Sequence, residues 1–284
     1  MQILINLSVA LCAVYLVFIL LVYFGQARLV YFPEKQLSNT PDVIGLDYTA
    51  VSIPVSDGET LHGWWMSVPD AKGAVLFFHG NAGNISHRIN YLTMFKRLGY
   101  STLLFDYRGY GQSSGTPSES GMYQDALAAW RYLTGTKAIP PARIALFGES
   151  LGGAVASWLA AREKPGLLVL ASTFTSVPEL GAEIYPFLPV RWISRFEYNT
   201  LASLQSVACP VFIAHSPQDD IIPFQHGQRL FQAAPEPKQF LMLEGSHNTG
   251  FIFMQPVWKK ALGAFMDTHL NATPEFNPER LGKL

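Results

Sequence analysis

A chain of 284 residues with 49% hydrophobic composition is long enough to bury one large core or two modest ones. Its 20 Lys and Arg against 21 Asp and Glu give a net charge of -1, without the basic excess of a nucleic-acid binder. The two cysteines, Cys12 within an apolar run and Cys209 before Pro210, are far apart, which argues against a disulfide framework or a zinc site.

Met1 to Ala27 holds no charged side chain, and Ile3 to Phe24 is apolar apart from Asn6, Ser8 and small residues. That length suits a single membrane-crossing helix. Tyr15, Tyr23 and Tyr31, with Arg28 and Lys35 after the run, supply interfacial anchors. A cleaved signal peptide would want basic residues ahead of the run, although Gly25-Gln26-Ala27 resembles a cleavage site. A lipoprotein signal ending at Cys12 would want a small residue where Leu11 stands. The expectation is a retained single-pass anchor over 1–27 that contacts membrane lipid. Basic residues on its carboxyl side favour a cytoplasmic catalytic domain.

Residues 28–48, broken by Pro33 and Pro41, read as a juxtamembrane linker. "YTAVSIPV" and "LHGWWMSV" flank an Asp57-Gly58 turn and predict an antiparallel hairpin. Six short continuous apolar runs follow, at 74–78, 101–105, 143–147, 167–171, 211–215 and 240–243. Runs without alternation suit strands covered on both faces, and the intervening helical patterns imply parallel strands with right-handed crossovers. The spacing predicts helices at Ile89–Leu98, Met122–Leu133, Leu151–Glu163 and Phe251–His269, the last interrupted early by Pro256. The expectation is an α/β domain over 49–270, with a tail over 271–284. In such a sheet the ligand site lies at the carboxyl ends of the strands.

Polar groups that follow strands are therefore the candidates. After "AVLFF" comes "HGNAGN", where Gly80 and Gly83 let the backbone turn its amides inward. His79 reads as a histidine that stabilises this turn. Two pentapeptides then match G-x-S-x-G, "GQSSG" around Ser113 and "GESLG" around Ser150. Chance supplies one such match in roughly one chain in ten of this length, so context must decide. The Ser113 strand run ends at Phe105, and a loop already separates the two. Ser150 follows "RIALF" closely and is followed at once by the helix-forming "LGGAVASWLAAR". Gly148 and Gly152 relieve the turn, while Gly153 lets the helix approach the sheet. The helix amino end favours a developing anion.

A serine nucleophile needs a base and a carboxylate, which follow it in this architecture as acid and then histidine. His247, in "EGSHNTG" after the last strand, is the candidate base; His215 ends its own strand and His226 falls in a helical pattern. "HSPQDDIIP" offers Asp219 and Asp220, and adjacent side chains point apart, so only one can reach His247. Glu149 projects from the other side of the turn and reads as structural. Backbone N–H groups of Leu151 and Asn81 are the candidate oxyanion donors. No cluster suggests a metal, and no glycine fingerprint suggests a dinucleotide cofactor.

"FFHGNAGNISHR", "DYRGYGQSSGTPSE", "ALFGESLGG", "HSPQDDIIP" and "EGSHN" resemble the α/β-hydrolase superfamily. They most resemble its membrane-anchored branch of abhydrolase-domain serine hydrolases, which includes bacterial members, a fungal polarity protein and protein depalmitoylases. The resemblance spans about Leu29 to Leu270 and implies the α/β-hydrolase fold, a mostly parallel twisted sheet with helices on both faces. It places the acid at Asp219 within His215 to Pro223, where Ser216 and Ile222 stand for the pattern's Gly and Val. It also makes "DYRGYGQSSG" a loop whose serine is not the nucleophile. Residues 172–209 occupy the lid position, a short lid whose Tyr185, Phe187, Leu188, Trp192 and Phe196 line an acyl pocket, face lipid or pack on the core. The expected function is a membrane-anchored serine hydrolase of carboxylic esters or thioesters, acting on a small-molecule or acylated substrate. A serine peptidase of the same fold and a non-catalytic membrane-tethered scaffold are the alternatives.

Overall fold

The computed structural model describes residues 1–249 and 255–270. The uncharged amino-terminal run forms one helix, α1 (Gln2–Gly25), which at 1.5 Å per residue is ~36 Å long. A short helix α2 (Ala27–Val30) continues it into strand β1 (Phe32–Pro33). Hairpin strands β2 (Thr49–Pro54) and β3 (Thr60–Met66) follow, then β4 (Gly73–Phe78) and the short β5 (Ala82–Gly83). Next come helix α3 (Ile89–Leu98), β6 (Tyr100–Phe105), helix α4 (Glu119–Arg131), β7 (Ile144–Glu149), α5 (Leu151–Ala160) and β8 (Leu167–Ala171). Helices α6 (Val177–Ile184), α7 (Val190–Ile193) and α8 (Thr200–Leu204) occupy the lid region. The chain then returns through β9 (Val211–His215), α9 (Phe224–Ala233), β10 (Lys238–Met242) and α10 (Pro256–Leu270).

Eight strands form one sheet in the order β10-β9-β8-β7-β4-β6-β3-β2. Pairing is parallel from β10 through β6, and antiparallel for β6 with β3 and for β3 with β2. The central strands lack alternation because both faces are covered. Leu76 and Phe78 of β4 join Ala126 of α4 and Val155 of α5 on one side. Val75 and Phe77 join Phe95 of α3 and Leu262 of α10 on the other. Their alternate side chains are thus all apolar, the pattern of a sheet buried between helix layers.

Helix limits differ from expectation where a cap intervenes. Helix α4 starts three residues earlier than its apolar spacing suggests, because extended Ser118 accepts the Gly121 N–H at 3.1 Å. Helix α10 begins at Pro256, whose fixed φ and missing N–H suit a first turn. The start expected at Phe251 and the tail over 271–284 lie outside the described residues.

The segment read as a linker is hydrogen-bonded to the domain. Strand β1 pairs in parallel with β5, with Phe32 opposite Ala82. Asn84 Nδ2 donates to the carbonyls of Glu34 and Gln36, and Gly111 N–H donates to Glu34. Tyr31, expected at a membrane interface, is instead buried, with its hydroxyl 2.7 Å from that of Tyr198.

Helix α5 meets the sheet with no room for side chains at its first turn. A Cβ on Gly152 would lie 2.1 Å from the Phe78 carbonyl oxygen, and one on Gly153 would lie 2.5 Å from Thr173 Oγ1. Alanine normally favours a helix over glycine, but here the backbone contact dominates. Gly152→Ala is expected to lower stability by about 1–3 kcal/mol, read as a drop in the thermal midpoint of the purified protein.

Candidate active site

Strand β7 runs to Glu149 and helix α5 starts at Leu151, so the whole change of direction falls on Ser150. Its backbone takes φ 52 and ψ -121, a strained conformation for a residue with a side chain. The strain is held by three bonds. Ser150 N–H donates to Ala171 O at 3.0 Å, and its carbonyl accepts from Gly153 N at 2.9 Å and Thr173 Oγ1 at 2.6 Å. Gly148 makes the return of the chain possible, since a Cβ there would sit 2.5 Å from Gly153 Cα.

His247 arrives in the loop after β10 and lies between the other two groups. Its Nε2 is 3.2 Å from Ser150 Oγ, and its Nδ1 is 2.8 Å from Asp219 Oδ2. Asp219 comes from the loop after β9, and its side chain is fully buried. Burial opposes its ionisation. The hydrogen bond and charge of His247, with N–H donors from Ile222 at 2.8 Å and Ile221 at 3.0 Å, outweigh burial and hold its carboxyl below the usual range. A carboxylate ionised at neutral pH favours the tautomer with the proton on Nδ1, leaving Nε2 to face the hydroxyl.

Both neighbouring aspartates serve the same histidine. Asp219 meets the ring, while Asp220 Oδ1 accepts the His247 backbone N–H at 2.9 Å. The role of Asp220 was missed because sequence reasoning asked only which carboxylate reaches the ring. Gln218 and Ser216 brace the same loop through Gly245, whose N–H donates to Gln218 Oε1 and whose carbonyl accepts the Ser216 hydroxyl. Ser216 thus has a purpose of its own where the family pattern carries glycine.

The other histidines are otherwise engaged. His215 Nε2 donates to Ile222 O at 2.9 Å, and His226 Nδ1 accepts the Thr175 N–H at 3.1 Å. Glu149 turns away to Arg88, whose Nη2 is 3.1 Å from its carboxylate. Ser113 is buried; its hydroxyl donates to Asp106 O at 2.7 Å and accepts the His62 N–H at 2.9 Å. A hydroxyl with both roles filled inside the core is structural.

The "HGNAGN" loop passes directly against Ser150, since a Cβ on Gly80 would be 3.5 Å from Ser150 Cβ. Its carbonyls are tied back on the far side. Tyr107 donates to His79 O at 3.1 Å, Tyr110 to Asn81 O at 2.8 Å, and Phe32 N–H to the same oxygen at 3.1 Å. The Asn81 amide donates to Val30 O at 3.0 Å. His79 Nδ1 donates to Gly80 O at 2.7 Å, and burial lowers this ring's pKa to about 3, keeping it neutral. Facing it at 3.6 Å is Asp106, which burial pushes up to about 7. A planar trans peptide sets N–H opposite C=O, so fixing Gly80 O on His79 turns the Asn81 N–H to the other side. The N–H groups of Asn81 and Leu151 make no hydrogen bond to another described residue.

A cavity of about 400 Å³ adjoins the site. Its lining includes Leu151 and Phe174 beside the serine, Leu180 and Phe187 from the lid, and Phe18 and Val22 from α1. Tyr185, Leu188 and Phe196 of the lid also line it, whereas Trp192 points outward at 90% exposure. Among the described residues no group of three or more His, Cys, Asp or Glu side chains is arranged to hold a metal ion.

A strand–serine–helix elbow on a mostly parallel eight-stranded sheet, with histidine and aspartate on later strand ends, defines an α/β hydrolase. A profile of the alpha/beta hydrolase fold matches residues 73–190. The uncharacterized protein Rv2307c of Mycobacterium tuberculosis is 42% identical over 81% of this chain and 83% of its own length. The alpha/beta hydrolase domain-containing protein WAV2 of Arabidopsis thaliana is 32% identical over 90% and 89% respectively, and bem46 of Schizosaccharomyces pombe 31% over 76% and 77%. The chain belongs to the alpha/beta hydrolase family. Among solved structures, the Pyrococcus furiosus esterase Pf2001 superposes with TM-score 0.71 at 23% identity, covering 84% of this chain and 99% of that one. Est1E from Butyrivibrio proteoclasticus, solved with ferulic acid, gives 0.66 at 19%, covering 78% and 99%. These two share the fold.

The depressed Asp219 pKa sets a pH signature. A carboxylate held below its unfolded value, about 4, contributes stability that is complete above that pH and is lost as pH falls through the folded value. Asp219→Asn is therefore expected to unfold at a lower temperature than wild type near neutrality and to converge on it in acid, measured by thermal unfolding across that range.

Proposed function

We propose that this protein is a membrane-anchored serine hydrolase that cleaves carboxylic esters or thioesters through an acyl-enzyme. The observation that carries the reading is the Ser150–His247–Asp219 relay, with contacts of 3.2 and 2.8 Å, at a strained strand–helix elbow. Ser150 Oγ attacks the carbonyl carbon as His247 Nε2 takes its proton. Asp219 holds the ring and stabilises the imidazolium that forms. The oxyanion is stabilised by the N–H groups of Leu151 and Asn81 and by the amino end of α5, where one donor is typically worth about 10²–10³ in rate. His247 returns its proton to the leaving oxygen or sulfur, then activates water against the acyl-enzyme. Both steps use the same donors.

Substrate class follows from the cavity. Its apolar lining beside Leu151, within the ~300–1,000 Å³ range of ligand pockets, suits a hydrocarbon chain on the acyl side of the carbonyl. Membrane attachment rests on α1, which is 24 residues long, free of charge and has none of its side chains buried. So large a bare apolar surface is unfavourable in water. The contacts of Tyr15 and Gln26 with the lid, at 2.7 and 2.8 Å, favour a helix that stays with the domain over one removed as a signal.

Fluorophosphonate labelling is expected for wild type and Ser113→Ala and lost in Ser150→Ala; labelling of Ser150→Ala would overturn the assignment. Asp219→Asn should reduce turnover of a p-nitrophenyl ester by about 10⁴ through the wrong histidine tautomer. Asp220→Ala, which leaves the ring's partner in place, should cost at least tenfold less than Asp219→Asn in the same assay, roughly the weight of one hydrogen bond to a carboxylate.

A further inference from the structure

Helix α1 and the lid touch at two heights. At the domain end, Gln26, the residue that caps α1, bridges to the lid, its Nε2 donating to Ile193 O and its Oε1 accepting the Arg195 N–H, each at 2.8 Å. Further up the helix, Tyr15 donates its hydroxyl to Phe187 O at 2.7 Å. Eleven residues separate the two contacts, so the lid climbs ~16 Å along the helix. That is roughly half of a ~30 Å hydrocarbon core, the depth of one leaflet.

The lid's composition fits that depth. From Ile184 to Val190 it carries no charged side chain. Ile184, Tyr185 and Phe187 are exposed, and Trp192 stands 90% exposed nearer the Gln26 end. Several of the lid's charges are paired, Glu179 with Arg191 at 2.8 Å and Glu183 with His226 at 3.3 Å. At the base of α1, the Arg195 guanidinium sits over the Tyr23 ring at 5.5 Å and Arg28 is exposed. Aromatic and basic groups at one level mark a headgroup boundary.

The cavity lies in the seam between these two elements. Phe18 and Val22 wall it from the α1 side, Phe187 and Leu188 from the lid, and Leu151 closes its inner end next to Ser150. We infer that the seam between α1 and the lid is a lateral entrance in the bilayer, through which the acyl chain of a membrane-resident ester or thioester slides to Ser150. The inference rests on the hydrolase reading and names its substrate class. The lid seats in one leaflet beside α1, so the chain passes from lipid to protein without crossing water. The carbonyl then arrives at the level of the headgroups, where Ser150 and water meet.

Two measurements on the full-length protein in phosphatidylcholine vesicles test this. The first takes Trp192 fluorescence as the difference between wild type and Trp192→Phe. Lipids brominated high on their acyl chains should quench it more strongly than aqueous iodide does; quenching by iodide alone overturns the seating of the lid. The second compares turnover of p-nitrophenyl palmitate in the bilayer with that of p-nitrophenyl acetate. Val22→Trp, which fills the seam from the helix side, should lower the palmitate-to-acetate ratio by about tenfold, the effect of denying burial to two or more methylenes. An unchanged ratio with both esters still hydrolysed overturns the entrance and leaves the hydrolase reading standing. Wild type that takes no fluorophosphonate label overturns that reading, and with it the catalytic half of the inference, while the quenching still decides where the lid sits.

Discussion

Everything near the site depends on the close approach of helix α5 to the ends of β4, β7 and β8. One residue must turn a strand into a helix, and Ser150 does so at φ 52 with its side chain left facing His247. That geometry exists only because glycine stands at 148, 152 and 153, where any Cβ would lie 2.5 Å or less from a neighbouring atom. The same approach sets the first N–H groups of α5 against the loop after β4. The Ser150 hydroxyl and the amino end of α5 are therefore positioned by a single packing contact, and neither can move without the other.

The loop opposite the serine is held by a layered set of supports. Its carbonyls accept hydrogen bonds from Tyr107, Tyr110 and Phe32, and the Asn81 side chain reaches Val30. Two of these partners lie in the segment just after α1. The loop that carries the Ser113 pentapeptide supports that segment in turn, since Gly111 N–H donates to Glu34 O and Lys35 Nζ donates to Ser113 O. Arg108, whose Nε and Nη2 both donate to Asp125 Oδ1 and whose Nη1 donates to Asp57, fixes this loop to α4 and to the hairpin turn. The pentapeptide around Ser113 thus braces the strand beside the site.

The outer lid and helix α1 follow a different physical rule. The core is closed to water on both faces of the sheet, whereas α1 and the outer lid leave apolar surface uncovered. In water that surface is unfavourable; in hydrocarbon it is neutral, and only backbone groups need partners, which a helix supplies itself. The Gln26 and Tyr15 side chains give two lid carbonyls their hydrogen-bond donors.

The strands were legible because six apolar runs without alternation have few other solutions, and each observed strand lies within two residues of its run. Ser150 was legible because strand, glycines and helix are contiguous in sequence. His247 followed from chain order. What local pattern could not supply was any contact between distant segments. The pairing of β1 with β5 joins residues fifty positions apart and has no signature in either two-residue strand. Tyr31 reads as interfacial from its neighbours yet is buried against Tyr198. Between Asp219 and Asp220 the residues alone left the choice open, since adjacent side chains diverge whichever one faces the ring. By itself the sequence determined which elements form and which residue types follow each strand, because periodicity and turn chemistry are local. Only the tertiary structure decided that Asp220 holds the His247 backbone, that the Ser113 hydroxyl is locked in the core, and how α1 meets the lid, because these depend on where separate segments converge.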